Sequence, residues 1–407
     1  MNETDSTRQC ASMLDFIAAI VDLPARVAGS AGERMGQALL AGRLDELGFR
    51  AVLAGAVCAP RIPVILGLHS LFFLGSALLA VFKPGFLALA LSGLTLLSTF
   101  GELRGKPRLL RRLLLKRMTT NMIAVHERQQ ARGRLVLVAH GDVSPSSSLL
   151  LPWARRWYLD RERPGRSVHP ASIVLIAGFV QLCAAAQRWA GEEHAWLGVV
   201  AVAALFGAAL VHLGTLALAL DWWRSPAQQG AVSNASGMAV ALAVAESLKD
   251  SPLENLEVWV VVSGARQPDS GGMKGFLYQF GHLLDRDSTW FINLDAVGAG
   301  QLGFALAEGR WRHSSYRPAI PDCAATVAAA DEFRAVRSFS CPGGTDAGPV
   351  TRAGYRAITL SGLVDGRAPG PFGRGLDGIT DVDDGALTMA HGFALALARE
   401  IDARQAG

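Results

Sequence analysis

Polar residues that could bind a metal ion stand directly after short apolar runs of the chain. His140 and Asp142 follow one such run, and Asp295 follows another. A histidine nitrogen can bind a metal ion, and an aspartate two residues further on can orient the imidazole ring through its other nitrogen. The spacing of His140 and Asp142 therefore favours a metal site at the end of a strand.

The surrounding sequence alternates strand-like and helix-like segments. Buried-type or β-branched runs predict strands at 49–57, 121–127, 134–140, 257–263, 290–294 and 357–361. Apolar periodicity predicts helices at 12–23, 31–47, 237–249, 324–332 and 383–403, with cap oxygens from Asn234 and Ser236 at the start of the third. This alternation predicts an α/β sandwich with a mostly parallel sheet. Ligands of such sheets bind at the carboxyl ends of strands, where His140, Arg266 and Asp295 stand.

Several of these segments carry family-like motifs in family order. They include Leu-Val-Leu-Val-Ala-His-Gly-Asp at 135–142, Gly-Ala-Val-Ser-Asn-Ala-Ser-Gly at 230–237 and Asn-Leu-Asp at 293–295, together with segments 24–30, 120–124, 345–346 and 353–358. On these segments the chain resembles the di-zinc aminopeptidase family of metallopeptidases, which includes bacterial leucyl aminopeptidase, aminopeptidase Y and the glutaminyl cyclases. The resemblance implies a three-layer zinc-exopeptidase-like sandwich with a mostly parallel mixed sheet.

The resemblance also implies where a catalytic site would lie. The family hydrolyses an N-terminal peptide bond with two zinc ions and a bridging water. Its first metal site corresponds to His140 and Asp295, with Asp142 as the aspartate that orients His140. Its bridging carboxylate corresponds to Ser233. Its general base and a neighbouring ligand correspond to Arg266 and Gln267.

These replacements change the predicted chemistry. No histidine stands between His313 and His391, where the family has its last ligand, and the matching region offers only Asp377. An arginine has no acceptor and stays protonated, so Arg266 cannot take a proton from water and would repel a zinc ion. We therefore expect no catalytic residue and no zinc, or at most one zinc. The residues left over could bond to one another or to Arg266, could hold a single metal at His140 and Asp295, or could belong to a rebuilt site.

Other nucleophilic chemistry has little support in the sequence. The chain has no Gly-x-Ser-x-Gly motif. Cys341 lies in a turn-like Ser-Cys-Pro-Gly-Gly segment, and no motif pairs it with a base, so we interpret it as a loop thiol.

Charge is distributed unevenly along the 407 residues. Only 18% of them are Asp, Glu, Lys or Arg, the net charge is +4 and 50% are hydrophobic, whereas soluble proteins carry about 25% charged residues. This composition excludes a disordered chain, and five cysteines without a close pair exclude a disulfide scaffold. Four stretches lack charged residues altogether and are long enough to span a bilayer: 62–82, 84–101, 171–187 and 195–220.

The flanks of these stretches predict their orientation. Basic residues crowd segments 104–117 and 155–166, whereas the connections between paired stretches carry only Lys83 and Arg188. By the positive-inside rule, both termini and the α/β domain should be cytoplasmic, at a plasma or bacterial inner membrane. The predicted organisation is a discontinuous domain of residues 12–61, 102–149 and 228–407, transmembrane hairpins at 62–101 and 171–221, and a basic membrane-proximal linker at 150–170.

The leading hypothesis is a membrane-anchored pseudoenzyme, a metallopeptidase-like protein that has lost di-zinc activity and binds or scaffolds a partner. The alternative is an active membrane-bound hydrolase or aminopeptidase with a one-metal site at His140 and Asp295. The expected partners are the lipid bilayer, anionic headgroups at the basic flanks and an unidentified protein or peptide, but no nucleic acid. A weaker hypothesis gives the membrane helices a small-molecule or lipid-handling role, based on His69 and His212.

Overall fold

The computed structural model describes residues 3–58, 62–82, 85–104, 109–114, 116–145, 171–191, 195–266, 269–309, 314–341, 343–364, 368–369 and 377–406. The predicted linker 150–170 and Gln267 lie outside these residues. The predicted domain boundaries stay a prediction.

The described chain combines a central sheet with helices on both faces and a separate group of apolar helices. The helices are α1 (Glu3–Val21), α2 (Ala31–Glu46), α3 (Ile62–Phe82), α4 (Phe86–Arg104), α5 (Leu109–Leu113), α6 (Ala171–Ala190), α7 (Ala195–Arg224), α8 (Ser236–Asp250), α9 (Gly271–Phe280), α10 (Ala319–Ala328), α11 (Ala347–Arg352) and α12 (Asp384–Ala406). The strands are β1 (Arg50–Cys58), β2 (Arg117–His126), β3 (Gly133–His140), β4 (Leu256–Ser263), β5 (Thr289–Leu294), β6 (Gln301–Glu308), β7 (Ser314–Ser315), β8 (Arg337–Cys341), β9 (Arg356–Val364) and β10 (Ala368–Pro369).

The strands form one mixed sheet in the order β1-β2-β4-β3-β5-β9-β6-β7, with β8 beside β6 and β10 beside β9. The four central strands, β4, β3, β5 and β9, run parallel, and antiparallel pairs flank them. Strands β3, β4 and β5 are buried almost throughout, which explains their nearly continuous apolar sequences. The parallel strands β3, β4 and β5 end at the same edge of the sheet, at His140, Ser263 and Leu294. The loops that follow these three residues therefore lie close together.

Helices cover both faces of the sheet. Helices α1, α2, α8, α10 and α12 lie on one face, with α8 against the central strands, and α9 and α11 lie on the other. Their apolar side chains and those of the sheet form one continuous core. The predicted α/β sandwich with a mixed, centrally parallel sheet is confirmed.

The start of α8 differs from the prediction. A turn of π-helix, Ala231–Ala235, precedes it, and no side chain caps the first turn of α8. The predicted capping by Asn234 and Ser236 is therefore wrong. The amide of Asn234 donates to backbone carbonyls at the end of β3, and Ser236 Oγ donates to Val232 O at 2.6 Å.

Helices α3, α4, α6 and α7 pack against one another as two helical hairpins. All four are apolar and long enough to cross a membrane by length and composition. Large side chains point outward from them, including Phe72, Leu78, Phe179 and Phe206. A fifth segment, Ala231–Asp250, meets the same measure, but 78% of it is buried because α8 packs on the sheet.

Candidate functional site

His140 lies at the carboxyl end of β3 and is almost completely buried. Its Nε2 atom is 3.7 Å from Asp295 Oδ1 and 3.0 Å from the carbonyl oxygen of Ser233. Its Nδ1 atom is 3.0 Å from the Asp142 carbonyl oxygen and 3.7 Å from Asp142 Oδ1. The structure therefore brings His140, Asp142 and Asp295 together, as strands β3 and β5 require.

The loop after β4 brings Arg266 into this group. Arg266 Nη2 donates to Asp295 Oδ2 at 2.5 Å, and the backbone N–H of Arg266 donates to Asp142 Oδ1 at 2.7 Å. Asp295 therefore lies between two basic side chains, Arg266 and His140. Each of the two predicted aspartates accepts a hydrogen bond from the same residue of the β4 loop.

The charges around Asp295 shift the titration of the buried groups. Burial alone would raise the pKa of Asp295, but the Arg266 guanidinium and His140 hold it well below its usual range. Burial alone would lower the pKa of His140, yet the carboxylates of Asp142 and Asp295 outweigh burial and raise it. Both shifts favour a charged, ion-paired cluster.

On the other side of His140, Ser233 and Asp377 bond to each other. Ser233 Oγ donates to Asp377 Oδ2. Asp377 Oδ1 accepts the backbone N–H groups of Val232 at 2.7 Å and Ser233 at 3.1 Å. Asp377 is buried, and donors of the π-turn supply its hydrogen bonds. Ser233, the residue predicted to replace the family's bridging carboxylate, thus makes a hydrogen bond that fixes the backbone.

Buried polar residues hold these loops in place. Arg26 donates to the carbonyl oxygens of Ile20 and Gln229, each at 2.6 Å, and to Asn234 Oδ1 at 3.1 Å. Asn234 in turn donates to the carbonyl oxygens of His140 and Asp142. This chain of contacts ties the start of the fold to the end of β3.

Glu33 supports the site, although the sequence predictions did not include it. Its carboxylate accepts the N–H of Ala265 at 3.0 Å, the hydroxyl of Thr119 at 2.7 Å and the N–H of Gly29 at 2.8 Å. Burial raises the pKa of Glu33 to about 7. The capping-box spacing of Ser30 and Glu33 could have indicated the helix start, which the Ser30 side chain does cap, but not the contact with Ala265.

Two further residues lie beside Arg266. The carboxylate of Asp346 is buried and accepts a hydrogen bond from Ser263 Oγ at the end of β4. The thiol of Cys341 is buried as well, and burial raises its pKa far above the usual range. A neutral, inaccessible thiol is a poor nucleophile. Cys341 is the last residue of strand β8, so its interpretation as a loop thiol is wrong.

Within the described ranges, no three or more His, Cys, Asp or Glu side chains are arranged to hold a metal ion. The two predicted metal ligands, His140 and Asp295, contact basic or carbonyl groups of the chain itself. This donor set does not fit a pair of zinc ions. Ser233 and Arg266 supply neither the bridging carboxylate nor a base.

Known proteins resemble the chain in sequence and in fold. Residues 211–390 match the model of peptidase family M28. The predicted resemblance to the di-zinc aminopeptidase family is thereby confirmed. No curated protein sequence matches the chain.

Several solved structures of bacterial proteins are similar to this chain. A leucine aminopeptidase precursor from Bacteroides thetaiotaomicron shares 13% identity over 96% of each chain, with a TM-score of 0.53. A glutaminyl cyclase from the same organism shares 13% identity over 96% of this chain and 97% of that one, with a TM-score of 0.54. A Zn-dependent exopeptidase from Parabacteroides distasonis shares 13% identity over 95% and 96%, with a TM-score of 0.52. At this identity the similarity establishes the fold alone.

Proposed function

We propose that this M28-like protein is a membrane-anchored binding or scaffolding module that has lost di-zinc peptidase activity. The observation that carries the proposal is the 2.5 Å ion pair between Arg266 and Asp295. A zinc ion that took Asp295 as a ligand would have to displace a buried guanidinium, and the remaining positive charge would repel it. The positive charge of Arg266 therefore takes the place of a metal ion beside Asp295.

The site also lacks a group that could activate water. Arg266 stands at the family's general-base position and has no acceptor atom. The nearby Glu33 carboxylate accepts hydrogen bonds on both oxygens from the groups that fix the loops, so it serves to hold the backbone. The polar side-chain atoms of Ser233 and Asp377 form hydrogen bonds with each other and with the backbone of the π-turn. Each part of the family's water-activating apparatus has a structural use instead.

Backbone strain supports a binding role over a collapsed site. Ala265 and Ala296 have left-handed backbone angles, with φ values of 50° and 57°, and they adjoin Arg266 and Asp295. Such conformations cost about 1–3 kcal/mol each and cluster at ligand-binding and active sites. This strain beside the ion pair favours a site that positions polar groups for a protein or peptide ligand.

The apolar helices α3, α4, α6 and α7 support membrane anchoring. Their outward side chains are large and apolar, as lipid contact requires, and both hairpins begin and end on the side connected to the sheet. Basic segments at those ends favour a cytoplasmic α/β domain and contact with anionic lipid headgroups. Arg111 is an exception among them, because it forms a buried pair with Glu102 at 2.6 Å.

Metal analysis of the full-length protein, purified in detergent and incubated with zinc, tests the loss of di-zinc chemistry. We expect less than stoichiometric zinc and no hydrolysis of aminoacyl substrates. The matched variants are His140→Ala and His282→Ala, the second being an exposed histidine away from the site. Stoichiometric zinc that His140→Ala removes and His282→Ala retains, accompanied by hydrolysis, would support the one-metal hydrolase and refute our proposal.

A further inference from the structure

Connections between the α/β domain and the apolar helices leave from one edge of the sheet. Strand β1 ends at Cys58, and α3 begins at Ile62. Helix α5 contacts the end of α4 through the buried pair of Arg111 with Glu102, which are 2.6 Å apart. Strand β2 begins four residues after α5 ends. The end of β1 and the start of β2 therefore both adjoin apolar helices.

Helix α7 returns to the same edge of the sheet. It ends at Arg224, and Ala227 pairs with Pro145 in an isolated antiparallel bridge. Pro145 lies five residues after His140, the last residue of β3. The end of α7 is thus joined to the end of β3.

This edge is also the one that carries the candidate site. The end of β1 pairs with the start of β2, and β2 runs antiparallel to β4, so the start of β2 lies beside the end of β4. Glu33 joins these two ends, because its carboxylate accepts hydrogen bonds from Thr119 Oγ1 at 2.7 Å and from the Ala265 N–H at 3.0 Å. Ala265 directly precedes Arg266. The connections to the apolar helices and the candidate site therefore lie on the same side of the domain.

The lengths of the connections bring this edge to the bilayer surface. The four residue steps from Cys58 to Ile62 span at most about 15 Å, and the three steps from Arg224 to Ala227 at most about 11 Å. Because α3 and α7 span the bilayer in the proposed function, the ends of β1 and β3 lie within or just above the headgroup layer. In the order β1-β2-β4-β3, about 14 Å separates those two ends, so the edge is held at two points.

The side chains along this edge suit the surface of an anionic bilayer. Val57 and Met118 pair across β1 and β2 and are 53% and 61% exposed, and Trp223 at the end of α7 is 73% exposed. Lys116 and Arg117, beside Met118, are exposed as well. Apolar and aromatic side chains partition into the headgroup region, and basic side chains are attracted to anionic lipid. The edge thus combines both kinds of lipid contact.

We propose that the sheet edge around Val57 and Met118 rests on the anionic surface of the bilayer, so that the site of Arg266 and Asp295 faces the membrane. This inference rests on the membrane anchoring proposed above. The Arg266 side chain is 21% exposed, which keeps part of the site accessible. The protein or peptide ligand proposed for the site then meets it along the membrane, as a segment of chain held at the bilayer surface.

Fluorescence quenching by lipid tests the position of this edge. In the full-length protein, Cys183→Ser removes the exposed cysteine, the other four being buried. A single label is then attached after Met118→Cys or, in the turn after β2, after Gln130→Cys. Both proteins are reconstituted in phosphatidylcholine–phosphatidylglycerol vesicles whose headgroups carry a nitroxide quencher. We expect the label at residue 118 to lose most of its fluorescence and the label at residue 130 to keep it, because β2 separates them by about 25 Å.

The outcomes of this measurement separate the position of the edge from the anchor. An unquenched label at residue 118, in protein that stays in the vesicles, would overturn the inference and leave the anchor standing. Equal quenching at residues 118 and 130 would overturn it too, because the domain would then lie on its side. Protein recovered outside the vesicles would refute the anchor, and the inference with it.

Removal of two charges tests the contact with anionic lipid. In the protein labelled at residue 118, we expect the double variant Lys116→Gln and Arg117→Gln to lose part of the quenching in the mixed vesicles. The same double variant should change nothing in vesicles of phosphatidylcholine alone. Lys249→Gln removes an exposed cation at the far end of α8 and should leave the quenching unchanged. Quenching that does not depend on Lys116 and Arg117 in the mixed vesicles would contradict an anionic partner.

Discussion

Among single residues of the site, Arg266 stands out because its ion pair with Asp295 is largely shielded from water. The exposed pair of Arg334 with Asp331 has a comparable separation of 2.7 Å, but both of its side chains are mostly in water. Exposed pairs contribute about 0–1 kcal/mol, whereas removal of one partner from a buried pair costs about 3–5 kcal/mol. Arg266 and Asp295 therefore stay paired, and a metal ion at Asp295 would have to compete with the guanidinium.

Another buried carboxylate, Glu308, contacts the loop that carries Asp346. Its Oε2 atom accepts hydrogen bonds from Tyr316 OH at 2.9 Å, Thr345 Oγ1 at 2.5 Å and the Thr345 N–H at 3.2 Å. Burial nevertheless raises the pKa of Glu308 to about 7. Because Glu308 holds Thr345, its protonation state is coupled to the stability of the fold beside the site.

The raised pKa of Glu308 predicts a pH-dependent stability. The folded state binds a proton at Glu308 that the unfolded state releases near pH 4.5, so the free energy of unfolding falls as pH rises from about 4.5 to 7. This change corresponds to at most about 3 kcal/mol. We expect Glu308→Gln to reduce the pH dependence, measured by thermal unfolding at pH 5 and pH 7.5. The exposed Glu46→Gln is the control, and an unchanged pH profile in Glu308→Gln would contradict the prediction.

Sequence patterns identified the site residues that end strands and missed those that support them. His140 and Asp295 could be predicted because each follows a short apolar strand. Glu33 and Glu308 could not, because their burial depends on contacts with Ala265 and Thr345, which are distant in sequence. A carboxylate's partners across the fold leave no local pattern.

Among the elements, strands with buried apolar sequences were predicted well and helix α9 was not. Strands β3, β4 and β5 lie within one residue of their predicted bounds. Helix α9 begins Gly-Gly-Met-Lys-Gly, a composition that disfavours a helix by about 1 kcal/mol per glycine. Packing explains it: a Cβ at Gly275 would lie 2.6 Å from the Ala56 Cβ, so the glycine permits α9 to approach β1. Tertiary contact therefore overrides local propensity here.

Helix α8 also depends on close approach to the sheet, and this predicts opposite effects for two glycine substitutions. A Cβ at Gly237 would meet the backbone carbonyl of Leu294, directly before Asp295, whereas a Cβ at Gly42 in α2 would meet nothing within 4 Å. Gly237→Ala must displace α8 or β5, so we expect it to lower the free energy of unfolding by about 1–3 kcal/mol. Gly42→Ala should raise it by about 0.5–1 kcal/mol, because alanine favours a helix. Urea denaturation in detergent measures both, and equal effects would contradict this account of α8.

The whole molecule combines an α/β domain that carries charged residues with a bundle of apolar helices. The low overall fraction of charged residues, 18%, averages a normal α/β domain with helices that carry almost no charge. The sheet core and the apolar bundle form separate clusters of buried side chains. The fold class could be predicted from the sequence of the α/β domain, because alternating helices and strands identify it. The bundle's internal contacts, such as the stacking of His212 on Phe73, could not follow from composition, since helical rotation decides them.

The connectivity of the helical hairpins makes the orientation of the whole molecule testable. Helices α3 and α7 connect to the sheet at residues 62 and 224, so the connection between α6 and α7 should lie across the membrane from the α/β domain. A phosphatase reporter inserted after Gly191 and expressed in bacterial cells should therefore be active in the periplasm. A fluorescent protein fused after Gly407 should fluoresce in the cytoplasm, as the control for the opposite side. Both reporters on one side would refute the hairpin arrangement, and exchanged sides would refute the positive-inside orientation. Release of the protein from membranes by alkaline carbonate would instead refute the anchor itself.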